Sequence, residues 1–96
     1  MTELAYSVYL LRCRDGSLYT GIATDVERRI REHEHSARGA KFLRGKGPLT
    51  LVYQREIGDR STATRIEIAI KQLPKADKSD LAILTSRIDA ALSDMA

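Results

Sequence analysis

The sequence predicts a small α/β domain, a three-stranded antiparallel sheet flanked by helices in the order ββαβαα. Three observations carry that expectation. Two β-like runs flank an Asp15-Gly16 turn. A third run, Leu49 to Ile57, has Leu49, Leu51 and Tyr53 alternating against Val52 and Gln54. Three further stretches repeat apolar residues at helical spacing. The 96 residues fit one domain, 1–96, near the size where a single core is adequate without being generous.

The first strand is expected over Tyr6 to Cys13 and its hairpin partner over Ser17 to Ile22. Asp15-Gly16 first suggests a two-residue loop, but that register puts Tyr9 and Tyr19 on opposite faces. A three-residue loop, Arg14-Asp15-Gly16 with Gly16 left-handed at a bulge, pairs Cys13 with Ser17 and Leu11 with Tyr19. Both tyrosines then share a face, and this is the predicted register. Gly21 marks a place near the end of the second strand where a side chain is in the way of a turn or of a close-approaching ligand.

Thr24-Asp25-Val26-Glu27 reads as a capping box with Thr24 as N-cap, opening a helix to about His35. Val26, Ile30 and His33 fall on one stripe of it, with Arg29 at the edge. Ser36 to Pro48 is irregular, punctuated by Gly39, Gly45, Gly47 and Pro48. After the third strand a helix is expected from Ser61 to Leu73, with Ala63, Ile66, Ala69, Ile70 and Leu73 as its apolar stripe. Glu67 lies just off that stripe, and Pro74 stops the helix. Asp77 or Ser79 is the expected cap of a last helix whose stripe runs Leu81, Leu84, Ile88, Ala91 or Leu92, and Met95.

No apolar run approaches the ~20 residues that span a bilayer, and the N-terminus lacks the layout of a signal peptide. Cys13 is the only cysteine, which excludes an internal disulfide or a cysteine-rich zinc site. Together these point to the cytoplasm. The net charge of +3 is unevenly placed: residues 59–96 balance, whereas 36–54 hold Arg38, Lys41, Arg44 and Lys46 with no acid. Lys41, Arg44 and Lys46 are therefore candidate contacts to a polyanion such as nucleic acid, or simply solvated.

Tyr9, Tyr19 and Arg29 recur at ten-residue intervals, so a hairpin and the following helix can gather them. Each has a plainer reading. The tyrosines suit strands; Arg29 can pair with Glu32 or Asp25; His33 can be a hydrogen-bonded core histidine; Glu67 and Lys71 form an i, i+4 pair.

Taken in order, Val8-Tyr9, Tyr19-Thr20-Gly21, Arg29, His33 and a helical Glu67 resemble the GIY-YIG nuclease superfamily, over about residues 6–78. Gly39-Ala40-Lys41 through Pro48, with Leu51-Val52-Tyr53, resembles its small stand-alone YhbQ-like bacterial branch. Two departures stand out: the first half-motif is Ser7-Val8-Tyr9 in place of Gly-Ile-Tyr, and residues 68–96 contain no asparagine to match the one several members carry after the glutamate. The resemblance implies metal-dependent endonuclease-type hydrolysis of phosphodiester bonds in nucleic acid, DNA ahead of RNA, in DNA processing or repair. It implies Tyr9, Tyr19, Arg29 and His33 as catalytic residues and Glu67 as ligand of a divalent ion, Mg²⁺ or Mn²⁺. Those residue types suit the task. Mg²⁺ needs only one or two carboxylates, and arginine forks onto phosphate oxygens. A tyrosine orients water, or deprotonates it once its own pKa is lowered. The base is left open between the two tyrosines. The rival readings are a non-catalytic nucleic-acid-binding module that keeps the fold, and a protein-interaction domain whose last helix docks a partner or a second copy of the chain as a homo-oligomer.

Overall fold

A computed structural model describes residues 4–35, 43 and 45–95. Strands β1 (Tyr6–Arg12), β2 (Leu18–Ala23) and β3 (Thr50–Gly58) form an antiparallel sheet in the order β2-β1-β3. Helices α1 (Val26–His35), α2 (Arg60–Lys71), α3 (Lys75–Ser79) and α4 (Leu81–Asp94) complete the fold. The predicted order ββαβαα holds, with the short α3 as an addition before the last helix.

The hairpin takes the odd-loop register. Leu11 pairs with Tyr19 and Tyr9 with Gly21. The Cys13 N–H donates to the Ser17 carbonyl at 2.8 Å, the Gly16 N–H donates to the Cys13 carbonyl at 2.9 Å, and Gly16 has φ +85°. A left-handed residue is needed there, and glycine adopts that conformation without steric cost. The Asp15 carboxylate accepts from the Ser17 N–H at 3.0 Å and from its hydroxyl at 2.6 Å, which ties the loop.

As the central strand, β1 is covered on both faces, and Val8 to Leu11 are at most 1% exposed. Its alternate residues face two different cores. Val8 and Leu10 pack with Ile66 and Ile70 of α2 and Leu84 and Ile88 of α4. Tyr9 and Leu11, followed by Cys13, pack with Val26 and Ile30 of α1 and with Leu43 and Leu49. The sheet is thus sandwiched, with α1 on one side and α2 with α4 on the other. The last helix covers the sheet with Leu84, Ile88, Ala91, Leu92 and Met95 of its expected stripe, whereas Leu81 at its start is exposed; Cys13 is buried.

Four local expectations change. Asp25, and not Thr24, caps α1, accepting from the Arg28 N–H at 3.1 Å. Asp80 caps α4 in place of Asp77 or Ser79, accepting from Ala82 and Ile83. In both cases the carboxylate sits one to three residues nearer the helix start than the residue chosen from the sequence. Asp59 caps α2, which begins at Arg60 and ends at Lys71. In β3 the alternation breaks: Leu10 pairs with Tyr53 but Leu11 with Leu51, so Val52 is an extra residue, and Val52 and Tyr53 pack against the same core. Leu51 is left exposed.

Truncating Leu84, fully buried between α4 and the sheet, to alanine is expected to cost about 2–5 kcal/mol. Denaturant unfolding of the Leu84→Ala variant checks this, and an unchanged midpoint would mean that α4 is an appendage.

Candidate active site

Tyr9 organises the site. Its partner across the hairpin, Gly21, has no side chain, and the phenol lies over it. A Cβ built on Gly21 would come within 2.5 Å of the Tyr9 hydroxyl and 3.1 Å of the Tyr19 ring. Gly21 is therefore required for space and not for a special backbone angle; the close approach it permits is by the protein's own tyrosine. The gap lets the hydroxyl reach the edge strand β2. There it meets His33 of α1, with 2.9 Å between the phenolic oxygen and Nε2. The rings of Tyr9, Tyr19 and His33 form a cluster with centroids 5.4 to 6.4 Å apart.

Burial pushes the Tyr9 phenol well above its ordinary value, and the neighbouring Tyr19 adds to the shift. Arg29 opposes it by charge and by a hydrogen bond, and Glu67 again raises it. Tyr9 is thus a neutral phenol that feels Tyr19, Arg29 and Glu67 together. Arginine can only donate, so the Arg29 guanidinium acts on the Tyr9 oxygen as a nearby positive donor group. In the Nδ1–H tautomer of the neutral imidazole, the Tyr9 hydroxyl donates to His33 Nε2. His33 is only 7% exposed. Burial first, then the charge of Arg29, lowers its pKa below 6.5, with Glu32 pulling the other way. A neutral acceptor at Nε2 is the result.

Arg29 stands beside this cluster, half-exposed, its Nη1 donating to Glu32 Oε1 at 3.0 Å. Partial burial works against its charge, but the bond to Glu32 and the neighbouring carboxylate and phenols more than offset it. The plain reading of Arg29, a pair with Glu32, is realised alongside its approach to Tyr9. Glu67 likewise keeps its expected partner, with Lys71 Nζ 3.5 Å from Oε2, and its side chain is 19% exposed. It projects from α2, which packs across β1 and β2, so it approaches Tyr9 from the helix layer opposite His33.

Among the described residues no group of three or more His, Cys, Asp or Glu can hold a metal ion. Glu67 is the carboxylate that acts on Tyr9 here, and it could serve as a single ligand. That donor set fits a hard ion that keeps several waters and binds substrate phosphate, as Mg²⁺ does, and does not fit structural zinc.

Of the candidate nucleic-acid contacts, only Lys46 lies within the described residues. Lys41 and Arg44 lie outside the described residues. Lys46 sits at the hairpin turn, its Nζ 3.5 Å from Asp15 Oδ2. Glu32 was visible in the sequence only as a partner for Arg29; nothing in its spacing set it apart from other helix carboxylates.

A sandwiched three-stranded sheet with a tyrosine pair, arginine and histidine on one side and a helical glutamate approaching from the other defines a class. The profile of the GIY-YIG catalytic domain matches residues 5–80, and the chain belongs to this family of nuclease domains. Its relatives include the UPF0213 proteins of Yersinia pestis (strain Pestoides F) and Yersinia pseudotuberculosis serotype O:3 (strain YPIII), each 51% identical over 88 residues and 92% of both chains. The solution NMR structure of a UPF0213 protein from Bacillus halodurans is 43% identical, with a TM-score of 0.51 over 82% of this chain and 83% of that one. A solution NMR structure from E. faecalis is 35% identical, with a TM-score of 0.56 over 80% and 81%. No helix among the described residues is long and apolar enough to cross a membrane.

Gly21→Ala is expected to destabilise the fold by about 1–3 kcal/mol, the usual cost of overpacking a filled core; thermal unfolding checks it. The His33 ring should titrate below 6.5 when followed by NMR. Because the folded state binds that proton more weakly than the unfolded chain, the stabilisation it gives is present above pH 6.5 and is lost as pH falls through the folded value. His33→Asn should flatten that part of the stability–pH curve.

Proposed function

We propose that this protein is a divalent-metal-dependent endonuclease that hydrolyses phosphodiester bonds in nucleic acid, with DNA processing or repair as its setting. One observation carries the reading: the Tyr9 hydroxyl, laid across Gly21, is the point where His33, Arg29, Tyr19 and Glu67 are felt together. These groups come from a strand pair and two helices on opposite sides of the sheet. Ordinary packing does not require a histidine and a second phenol to meet at one buried hydroxyl whose ionisation also responds to a guanidinium and a carboxylate.

Glu67 is the residue that would hold the ion, Mg²⁺ or Mn²⁺, whose charge offsets that of the phosphodiester. Arg29 is placed to donate to a non-bridging phosphate oxygen and to stabilise charge that grows there during attack. Tyr9 is a poor base by itself, because its phenol resists ionisation. It is well placed as a relay: as it takes a proton from an attacking water, it passes its own to the neutral Nε2 of His33. This gives the acceptor role to His33 and the orienting role to Tyr9. Tyr19, its ring edge against His33, closes the other side. Exposed Arg28 on α1, which borders the same concavity as Arg29, adds positive charge beside the site.

Cleavage of duplex, branched and single-stranded DNA, and of RNA, with Mg²⁺ or Mn²⁺ tests the reading. Arg29→Ala and Glu67→Ala are each expected to lower kcat by about 10²–10³-fold. Arg29→Lys should not restore it, since lysine cannot make the forked contact. The rate should rise with pH through the His33 value, below 6.5, and His33→Asn should remove that limb. Salt-sensitive binding without any cutting, unchanged in Glu67→Ala, would instead make this a nucleic-acid-binding module on the nuclease fold.

A further inference from the structure

Glu32 is a charged side chain at the site for which the reaction above has no task. On electrostatic grounds it is misplaced, since a carboxylate beside the phosphate-binding guanidinium repels a polyanion. Yet it is drawn inward. Its side chain is 25% exposed, against 68% for Arg28 on the same helix. One oxygen accepts from Arg29 Nη1 at 3.0 Å, while the other lies 3.7 Å from Arg28 Nε. The spacing of these residues, i with i+3 and i+4, makes both contacts available on one turn of α1.

The surroundings show what the contact prevents. Arg29 and Glu32 both border an open concavity of about 290 Å³, whose other walls include Tyr6, Asp25 and Arg28. Arg29 therefore has two destinations, inward to Tyr9 and outward into that space, where Asp25 offers a second carboxylate. We infer that Glu32 is a positioning residue, which pins the Arg29 guanidinium toward Tyr9 and the reacting phosphodiester and keeps it out of the concavity. The inference rests on the nuclease reading. It accounts for the repulsive charge: Glu32 weakens substrate binding slightly and raises the fraction of time that Arg29 is correctly aimed.

The test separates aim from charge. In Glu32→Ala, kcat on duplex DNA should fall by roughly 10- to 10²-fold, the effect of a misplaced catalytic group, while KM stays level or falls because a negative charge is gone. Glu32→Gln, whose amide oxygen still accepts from Nη1, should recover most of the lost kcat. In parallel, the Nε–Hε signal of Arg29 in the metal-free protein should be a single sharp NMR resonance in the wild type and in Glu32→Gln, and broadened or shifted in Glu32→Ala. Unchanged kcat with lower KM in both variants would reduce Glu32 to a surface charge and overturn the proposal. So would equal kcat losses in the two variants, or an Arg29 signal that ignores Glu32→Ala. A wild-type protein that does not cut overturns the nuclease reading and, with it, the catalytic consequence of Glu32. The Arg29 signal would still decide whether Glu32 holds the guanidinium.

Discussion

A phenol that needs a partner, laid across a residue without a side chain, is the constraint on which this structure turns. A buried hydroxyl without a hydrogen bond costs on the order of 1–3 kcal/mol, so Tyr9 must end at a polar group. Within the core formed by β1, α1 and Leu43 the nearby side chains are mainly apolar. Only by crossing Gly21 does the ring reach the edge of the sheet, where His33 of α1 receives it. This contact joins the hairpin to α1, sets which face of α1 is buried, and brings Arg29 alongside.

The same placement decides the chemistry. Taking Tyr9 out of water makes its ionisation harder, and taking His33 out of water makes its protonation harder. Both shifts keep the pair neutral at rest: Tyr9 holds its proton and His33 stays unprotonated. A histidine that looks like ordinary core from its burial is at the same time the partner of the Tyr9 hydroxyl.

The sandwich supplies the rigidity. With β1 covered on both faces, α2 and α4 fix one side of the sheet while α1 and the Leu43 contact fix the other. Arg55 of β3 donates to Asp89 of α4 at 2.7 Å, a half-exposed tie of modest strength. Because α2 lies across β1 and β2, Glu67 can approach the site from the layer opposite α1. The two sides of the candidate site are held by separate cores that share one strand.

Hydrophobic periodicity determined the strands, the three main helices and their buried stripes, because burial demands a face and a face demands a period. Turn chemistry determined more: with Gly16 as the left-handed residue, the odd loop puts Tyr9 and Tyr19 on one face, and the order of motif residues points to the family. The helix caps were harder to read, since Thr24-Asp25 and Asp77-Ser79-Asp80 each offer several oxygens within reach and only the actual helix start selects Asp25 and Asp80. The bulge at Val52 was also hidden, because a register shift depends on the partner strand. What only the tertiary structure decided lies between elements. It is the reason for Gly21, the bond from Tyr9 to His33, the approach of Glu67 from the other layer and the hold of Glu32 on Arg29. Those follow from distances between segments far apart in the chain, and a local pattern of residue types carries no measure of such distances.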